Sequence, residues 1–542
     1  MKFKLLLIAL SFFVLFAGQD FAQPVKRPKL VVGIVIDQMR YDYLYKFKPY
    51  FGKNGFNKLM NEGTNFTYAH FNYVPTFTGP GHTSIYTGTT PFYHGIIAND
   101  WYNKASGKMI YCVHDKNEKS IGSNDNEGAM SPKRLEATTI TDQLKLATNG
   151  AAKVISISLK DRAAILPGGH MPNAAYWYDG KTGDFITSSY YLNALPDWVN
   201  KFNARKLADK YLSGEWTLSL PVSDYQITAP DNSPYEKDVF SEGKTSFPHS
   251  FNNVKPGEKY GALESTPYGN QIVEEFVKAA IENEKLGKGK ETDFLAVSFS
   301  STDYIGHSYG PNSFEVEDTY IKLDSQIADL IKELDEKVGK GNYVLFLTAD
   351  HAVLMTPGLL KERRLPTGGL GYKSADDSLK AFTARTFGNE KIIANFSNSQ
   401  IFLDRKIIEA KGLDIHKVTR QIADYLRDNF PEIASVFTRD DLQNQTPSRI
   451  TTNLTLNGFN PERSGDIAFT LQPGYLLSFM DKGTTHGAPY NYDTHVPMLF
   501  YGWHIPKQTI NTPVYVVDIA ATIADLLKIQ EPDACIGIPL IK

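Results

Sequence analysis

The sequence predicts an α/β fold: a mostly parallel central sheet covered by helices, with inserted cap segments. Two observations predict it. Short apolar, β-branched runs recur along the chain, and amphipathic helical patterns fill the intervals between them. The runs are continuously apolar rather than alternating, as expected of strands buried on both faces.

In chain order the strand-like runs are LVVGIVI (Leu30 to Ile36), VISIS (Val154 to Ser158), FLAVSF (Phe294 to Phe299), YVLFLT (Tyr343 to Thr348) and VPMLFYG (Val496 to Gly502). The helical patterns are Ala137 to Thr148, Val316 to Val338 and Val516 to Ile529. In the second, Tyr320, Leu323, Ile327, Leu330, Ile331 and Leu334 recur at helical spacing and form one apolar face. Alternation of such strands and helices is the signature of an α/β sandwich. Two stretches break the rhythm, about 172–267, rich in Tyr, Trp, Asn, Pro and Gly, and about 353–475. Both read as insertions on the sheet, because strand-like runs resume after each.

Composition narrows the function. With 57 basic against 60 acidic side chains and a net charge of -3, the chain lacks the basic excess of a nucleic-acid binder. Apolar residues at 42% supply a large core. Two cysteines exclude a disulfide scaffold or a multi-cysteine zinc cluster, so any metal site must be built of His and carboxylates. Cys112 and Cys535 are compatible with a pair or with two free thiols. Residues 1–22 carry two lysines, an apolar run from Leu5 to Ala17 and then small and polar residues. That run is short for a membrane span of ~20 residues and fits a secretory leader, which predicts export to the periplasm or beyond. Cleavage is expected after Ala22, with Ala17 and Gly18 as alternatives. No other stretch is long and apolar enough to span a membrane.

Acidic and His residues stand directly after the strand-like runs, where open α/β sheets place their ligands. Asp37 follows the first run, Asp303 and His307 the third, Asp350 and His351 the fourth, and His486 lies in GTTHGAPY. Singly, each is explained as a turn, a cap or a surface residue. Together, three Asp and three His suffice for two metal sites, and oxygen plus imidazole donors without thiolate suit catalytic Zn²⁺, with Mn²⁺ or Co²⁺ as alternatives. The window YVPTFTGPGHTSIYTGTTP offers a hydroxyl nucleophile. Thr78 is favoured because Gly79 and Gly81 leave its backbone uncovered, while Thr76, Thr83 and Ser84 stay open as alternatives. A helix starting near His82 is expected to point its amides at a bound anion.

These stretches, with HGIIANDWY, SLKDRAAILPGGH and a closing DIAATIADLL, resemble the alkaline phosphatase superfamily. The likeness is greatest to the PafA-type periplasmic monoesterases, which use a threonine nucleophile, and it runs in family order from about Pro28 to the C-terminus. The resemblance implies the alkaline-phosphatase-like sandwich and two zinc ions per chain. It places one zinc on Asp303, His307 and His486, and the other on Asp37, Thr78, Asp350 and His351. It further implies phosphate contacts from Asn99, Lys160 and Arg162, phosphate monoesters as substrates, and a phosphothreonine on Thr78. One departure is Ala352, where the family commonly has Gly after the Asp-His pair. A sulfatase is disfavoured, because Thr78 and His82 stand where that chemistry needs Cys or Ser and an Arg. The remaining alternatives are a phosphodiesterase or nucleotide pyrophosphatase of the same superfamily and, more remotely, a non-catalytic metal or phosphate binder.

Overall fold

The computed structural model describes residues 26–444 and 450–541; the expected leader at 1–22 lies outside the described residues. Eleven strands form the central sheet: β1 (Leu30–Ile36), β2 (Thr64–His70), β3 (Ser120–Ile121), β4 (Val154–Ser158), β5 (Ala174–Asp179), β6 (Asp184–Ser188), β7 (Asp293–Phe299), β8 (Tyr343–Thr348), β9 (His495–Gly502), β10 (Gln508–Ile510) and β11 (Val514–Tyr515). Their order is β10-β2-β9-β8-β1-β7-β4-β5-β6-β3, with β11 also on β2. Every residue of β1, β4, β7 and β8 is buried, which explains their continuous hydrophobicity.

Helices cover both faces. On one lie α1 (Thr78–Thr87), α2 (Ile140–Ala147), α3 (Asp161–Gly168) and, at the C-terminus, Asp518–Leu527. On the other pack Pro267–Asn283, Ser301–Tyr309 and Phe314–Leu334. Helix α2 starts with a reciprocal cap. The Thr139 hydroxyl accepts from the Asp142 amide at 3.1 Å and the Asp142 carboxylate accepts from the Thr139 amide at 2.9 Å.

Strand direction decides where the chemistry gathers. β8, β1, β7 and β4 are mutually parallel, so the segments leaving them emerge on one edge of the sheet. β9 is antiparallel to β8 and to β2. This differs from the parallel arrangement expected of VPMLFYG: hydropathy reports burial of both faces, not backbone direction. The reversal brings the segment before β9, with His486, to that same edge. β2 again points the other way, so the loop leading to Thr78 also arrives there.

The first expected insertion begins with β5 and β6, which extend the central sheet; only the chain beyond Ser188 leaves it. The second contains its own antiparallel sheet, ordered Ile393–Ser397, Gln400–Leu403, Ile467–Leu471, Ile433–Thr438. Its separate apolar core includes Phe396, Ile401, Ile422, Leu426 and Phe469.

Candidate active site

Helix α1 begins at Thr78 itself, four residues earlier than the sequence suggested, with Phe77 extended before it. Pro80 fits the first turn, where an amide hydrogen has no helical partner to lose. Gly81 allows close approach: a Cβ there would stand 2.3 Å from the Asp350 carbonyl oxygen. The competing hydroxyls differ in their partners. Thr83 donates to the Gly79 carbonyl at 2.7 Å, Ser84 is bonded to His94 at 2.9 Å, and the Thr76 hydroxyl is buried without a partner. Thr78, the first residue of the helix, is 2% exposed.

The six candidate ligands converge. Asp303, His307 and His486 form one group and Asp37, Asp303 and His351 a second, with the donor atoms of each group within 4.8 Å of one another. Asp350 joins the second group, its Oδ2 3.5 Å from His351 Nε2. The histidines are poised as ligands by hydrogen bonds on their far nitrogens. Nδ1 of His307 donates to the Thr484 carbonyl at 2.7 Å, that of His486 to Thr76 at 2.6 Å and that of His351 to Ala352 at 3.1 Å. For His351 and His486 the bond fixes the tautomer that leaves an Nε2 lone pair facing the carboxylates. At His307 burial is outweighed by the Asp303 charge, which raises its pKa, so this ring must give up its Nε2 proton to bind a cation. Asp37 Oδ1, Asp350 Oδ2 and His351 Nε2 are buried without any hydrogen-bond partner. Buried acceptors left bare and aimed together fit a divalent cation.

Electrostatics agree. Burial, reinforced by the Asp350 charge, pushes the Asp37 carboxyl well above the usual range. Burial alone would raise Asp303 too, but the charges of His307 and Lys160 outweigh it and hold that carboxyl well below. Burial, with His351 and His307 beside it, keeps His486 well below the ordinary imidazole value, and burial lowers His351 likewise. Both rings are thus held in the neutral form that ligates.

Of the residues expected to contact phosphate, Asn99 accepts the Gly79 amide hydrogen at 2.8 Å through Oδ1. Only oxygen can accept that bond, so the amide orientation is set and its NH₂ is left for another acceptor. Arg162 is held by Tyr111 and opposes the nearby Lys160 charge. Both cations line a cavity of about 370 Å³ with Glu264 and Tyr304. Lys160 has partners the sequence did not suggest: its ammonium lies 2.7 Å from Asp37 and 2.6 Å from Asp303, and 4.9 Å from the Tyr304 ring centre.

Sequence reasoning missed three contributors. Gln38 donates its amide to Asp303 at 2.6 Å and its backbone N–H to Asp350 at 3.1 Å, from a left-handed backbone (φ 63°). That conformation is costly for a residue other than Gly and marks a constrained position. His82 donates Nδ1–H to the Thr78 carbonyl at 2.9 Å and faces Asp350 at 3.3 Å, while Nε2 is bonded to Ser298 at 2.9 Å. Tyr111 is the third. Adjacency to Asp37 was the available signal for Gln38, and helical i,i+4 spacing from Thr78 the signal for His82; nothing local marked Tyr111. Cys112 and Cys535 are both free thiols.

The type I phosphodiesterase / nucleotide pyrophosphatase family model matches residues 31–495. Alkaline phosphatase PhoV of Synechococcus elongatus is 44% identical, covering 99% of this chain and 98% of its own length. Alkaline phosphatase PafA of Elizabethkingia meningoseptica is 41% identical, covering 96% of each chain. A crystal structure of PafA superposes with a TM-score of 0.92 over 96% of this chain and 99% of that one. A protein of Myroides odoratus named as a calcium-transporting ATPase is also 41% identical, over 96% of this chain and 95% of its own. The chain therefore belongs to the type I phosphodiesterase / nucleotide pyrophosphatase family, within the alkaline phosphatase superfamily.

Proposed function

We propose that the protein is an alkaline phosphatase, hydrolysing phosphate monoesters through a phosphothreonine on Thr78 with two zinc ions as cofactor. The observation that carries this reading is that the two ligand groups share Asp303, while Asp350 beside them stands against Gly81 in the first turn of the helix that Thr78 begins. Bound at these groups, zinc supplies Lewis acidity that activates the attacking oxygen and stabilises the departing one. The protein's own residues do the rest. His82 and Asn99 hold the first turn of α1, so Thr78 meets phosphorus in a fixed geometry. The P–Oγ bond forms as the ester P–O bond breaks, and water then cleaves the phosphothreonine to release phosphate.

A monoester carries one more anionic oxygen than a diester, and Lys160, Arg162 and the Asn99 amide supply two cations and a donor for it. Arg162 offers a planar fork and Lys160 a point charge on a flexible stem, which lets the ammonium serve both carboxylates and phosphate. The diester activity named for the family is the second reading, as a weaker side activity of the same centre. The leader at 1–22 implies action in the periplasm or outside the cell.

The test assays an aryl phosphate and its diester on one sample whose metal content is measured. About two zinc ions per chain, chelator-sensitive turnover and a monoester kcat/KM exceeding the diester's by about 10²-fold are expected. Preference for the diester overturns the assignment. Thr78→Ala should lower kcat by at least ~10³-fold.

A further inference from the structure

We infer that the pocket between Phe77, His486 and the inserted four-stranded sheet is a subsite for an apolar leaving group, so that the enzyme favours monoesters of phenols or alcohols with an extended hydrocarbon part. The inference rests on the monoesterase reading above and adds the substrate class.

The cavity holds about 320 Å³, enough for an aromatic ring with a short alkyl chain. Phe77 and His486 make one wall, and Phe469, Leu471, Leu477 and Met480 contribute to the other. Phe77 directly precedes Thr78, and its ring lies 5.8 Å from that of His486, edge to face. The pocket is therefore continuous with both the nucleophile loop and a metal ligand.

Direction follows from the chemistry. In-line displacement places the entering and leaving oxygens on opposite sides of phosphorus. Thr78 belongs with Asp37, Asp350 and His351 in the proposed ligand set. The leaving oxygen then falls on the side of Asp303, His307 and His486, and whatever it carries extends toward the wall that His486 shares with the pocket. The proposed anion-binding groups Asn99, Lys160 and Arg162 are absent from this cavity, and among the described residues no Lys or Arg lines it. The described lining therefore supplies no lysine or arginine charge to pair with a second phosphate or a carboxylate of the departing group. The acidic side chain among its described lining residues, Asp493, accepts the amides of Gly487 and Ala488 at 2.8 and 2.7 Å. Removing hydrocarbon from water is favourable, about fourfold in affinity for each methylene fully buried.

The experiment uses a series of 4-alkylphenyl phosphates from methyl to butyl, whose phenols are of nearly equal acidity, so that chain length alone varies. In the metal-loaded enzyme kcat/KM should rise by about tenfold or more across the series. Binding of the matching 4-alkylphenyl phosphonates, measured by calorimetry, should show the same trend without turnover. Leu477→Asp or Met480→Asp should flatten both trends while inhibition by inorganic phosphate, which has nothing to place in the pocket, stays unchanged. A flat series in the unaltered enzyme, or a slope surviving in both variants, overturns the subsite. A chain that cleaves diesters but none of these monoesters overturns the monoesterase reading instead.

Discussion

Tyr111 positions Arg162: the guanidinium Nη1 donates to the phenol oxygen at 3.1 Å, and that hydroxyl donates to Asp161 at 2.5 Å. Asp161 also accepts the Arg162 backbone amide at 2.6 Å, which closes a small network around the base of the arginine. Burial pushes the Tyr111 phenol well above its usual value, so it stays a protonated donor. Tyr111 ends the hairpin that begins just after Asn99, and the Cys112 amide donates to the Asn99 carbonyl at 2.8 Å. One hairpin thus ties together two of the residues proposed to contact phosphate.

Tyr111→Phe keeps the ring and removes the hydroxyl. An effect through Arg162 predicts a fall in monoester kcat/KM of about tenfold, with little change in metal content. The fall should shrink strongly in an Arg162→Ala background. Equal losses in both backgrounds would point to a general packing role.

Lys160→Ala with Arg162→Ala should lower monoester turnover by about 10²-fold or more and diester turnover far less, because only the monoester presents the extra charge. Parallel losses on both esters count against the cationic clamp.

Gly81→Ala tests the approach of α1 to the candidate ligands. Its new methyl would meet the Asp350 carbonyl oxygen at 2.3 Å and Cβ at 2.8 Å, both close to rigid backbone. The helix must shift, at a cost of about 1–3 kcal/mol in stability. Denaturant midpoints should register that loss, and kcat should fall further than stability alone predicts. An unchanged kcat would show that the contact does not set the position of Thr78.

His94 gives a pH dependence. Ile96 donates its amide to Nδ1 at 3.1 Å, so Nε2 carries the proton and donates to Ser84 at 2.9 Å. Burial lowers its pKa to about 3. The folded state then binds fewer protons than the unfolded chain, in which the ring titrates near 6.5, so the contribution is full above 6.5 and is lost as pH falls toward 3. Between pH 7 and 5 that loss is on the order of 2 kcal/mol. Urea midpoints of the unaltered protein should drop more over this range than those of His94→Gln; identical slopes would remove His94 from the account.

By itself the sequence determined that buried strands alternate with helices, and it marked Asp37, Asp303 and Asp350 by their places just beyond those strands. Both follow from local physics, since hydropathy records burial and the residue leaving a buried strand sits at the sheet edge. The tertiary structure decided the rest. VPMLFYG runs antiparallel, which brings His486 to the edge where the other candidate ligands gather; side-chain pattern carries no backbone direction. Thr83 and Ser84 find partners within and beside their own helix, whereas Thr78 starts it, a distinction invisible in a run of hydroxyl residues. Gln38, His82 and Tyr111 acquire their roles from contacts across the fold, and Lys160 reaches carboxylates 123 and 143 positions away. Such pairings depend on register and strand order, which no single segment of the chain encodes.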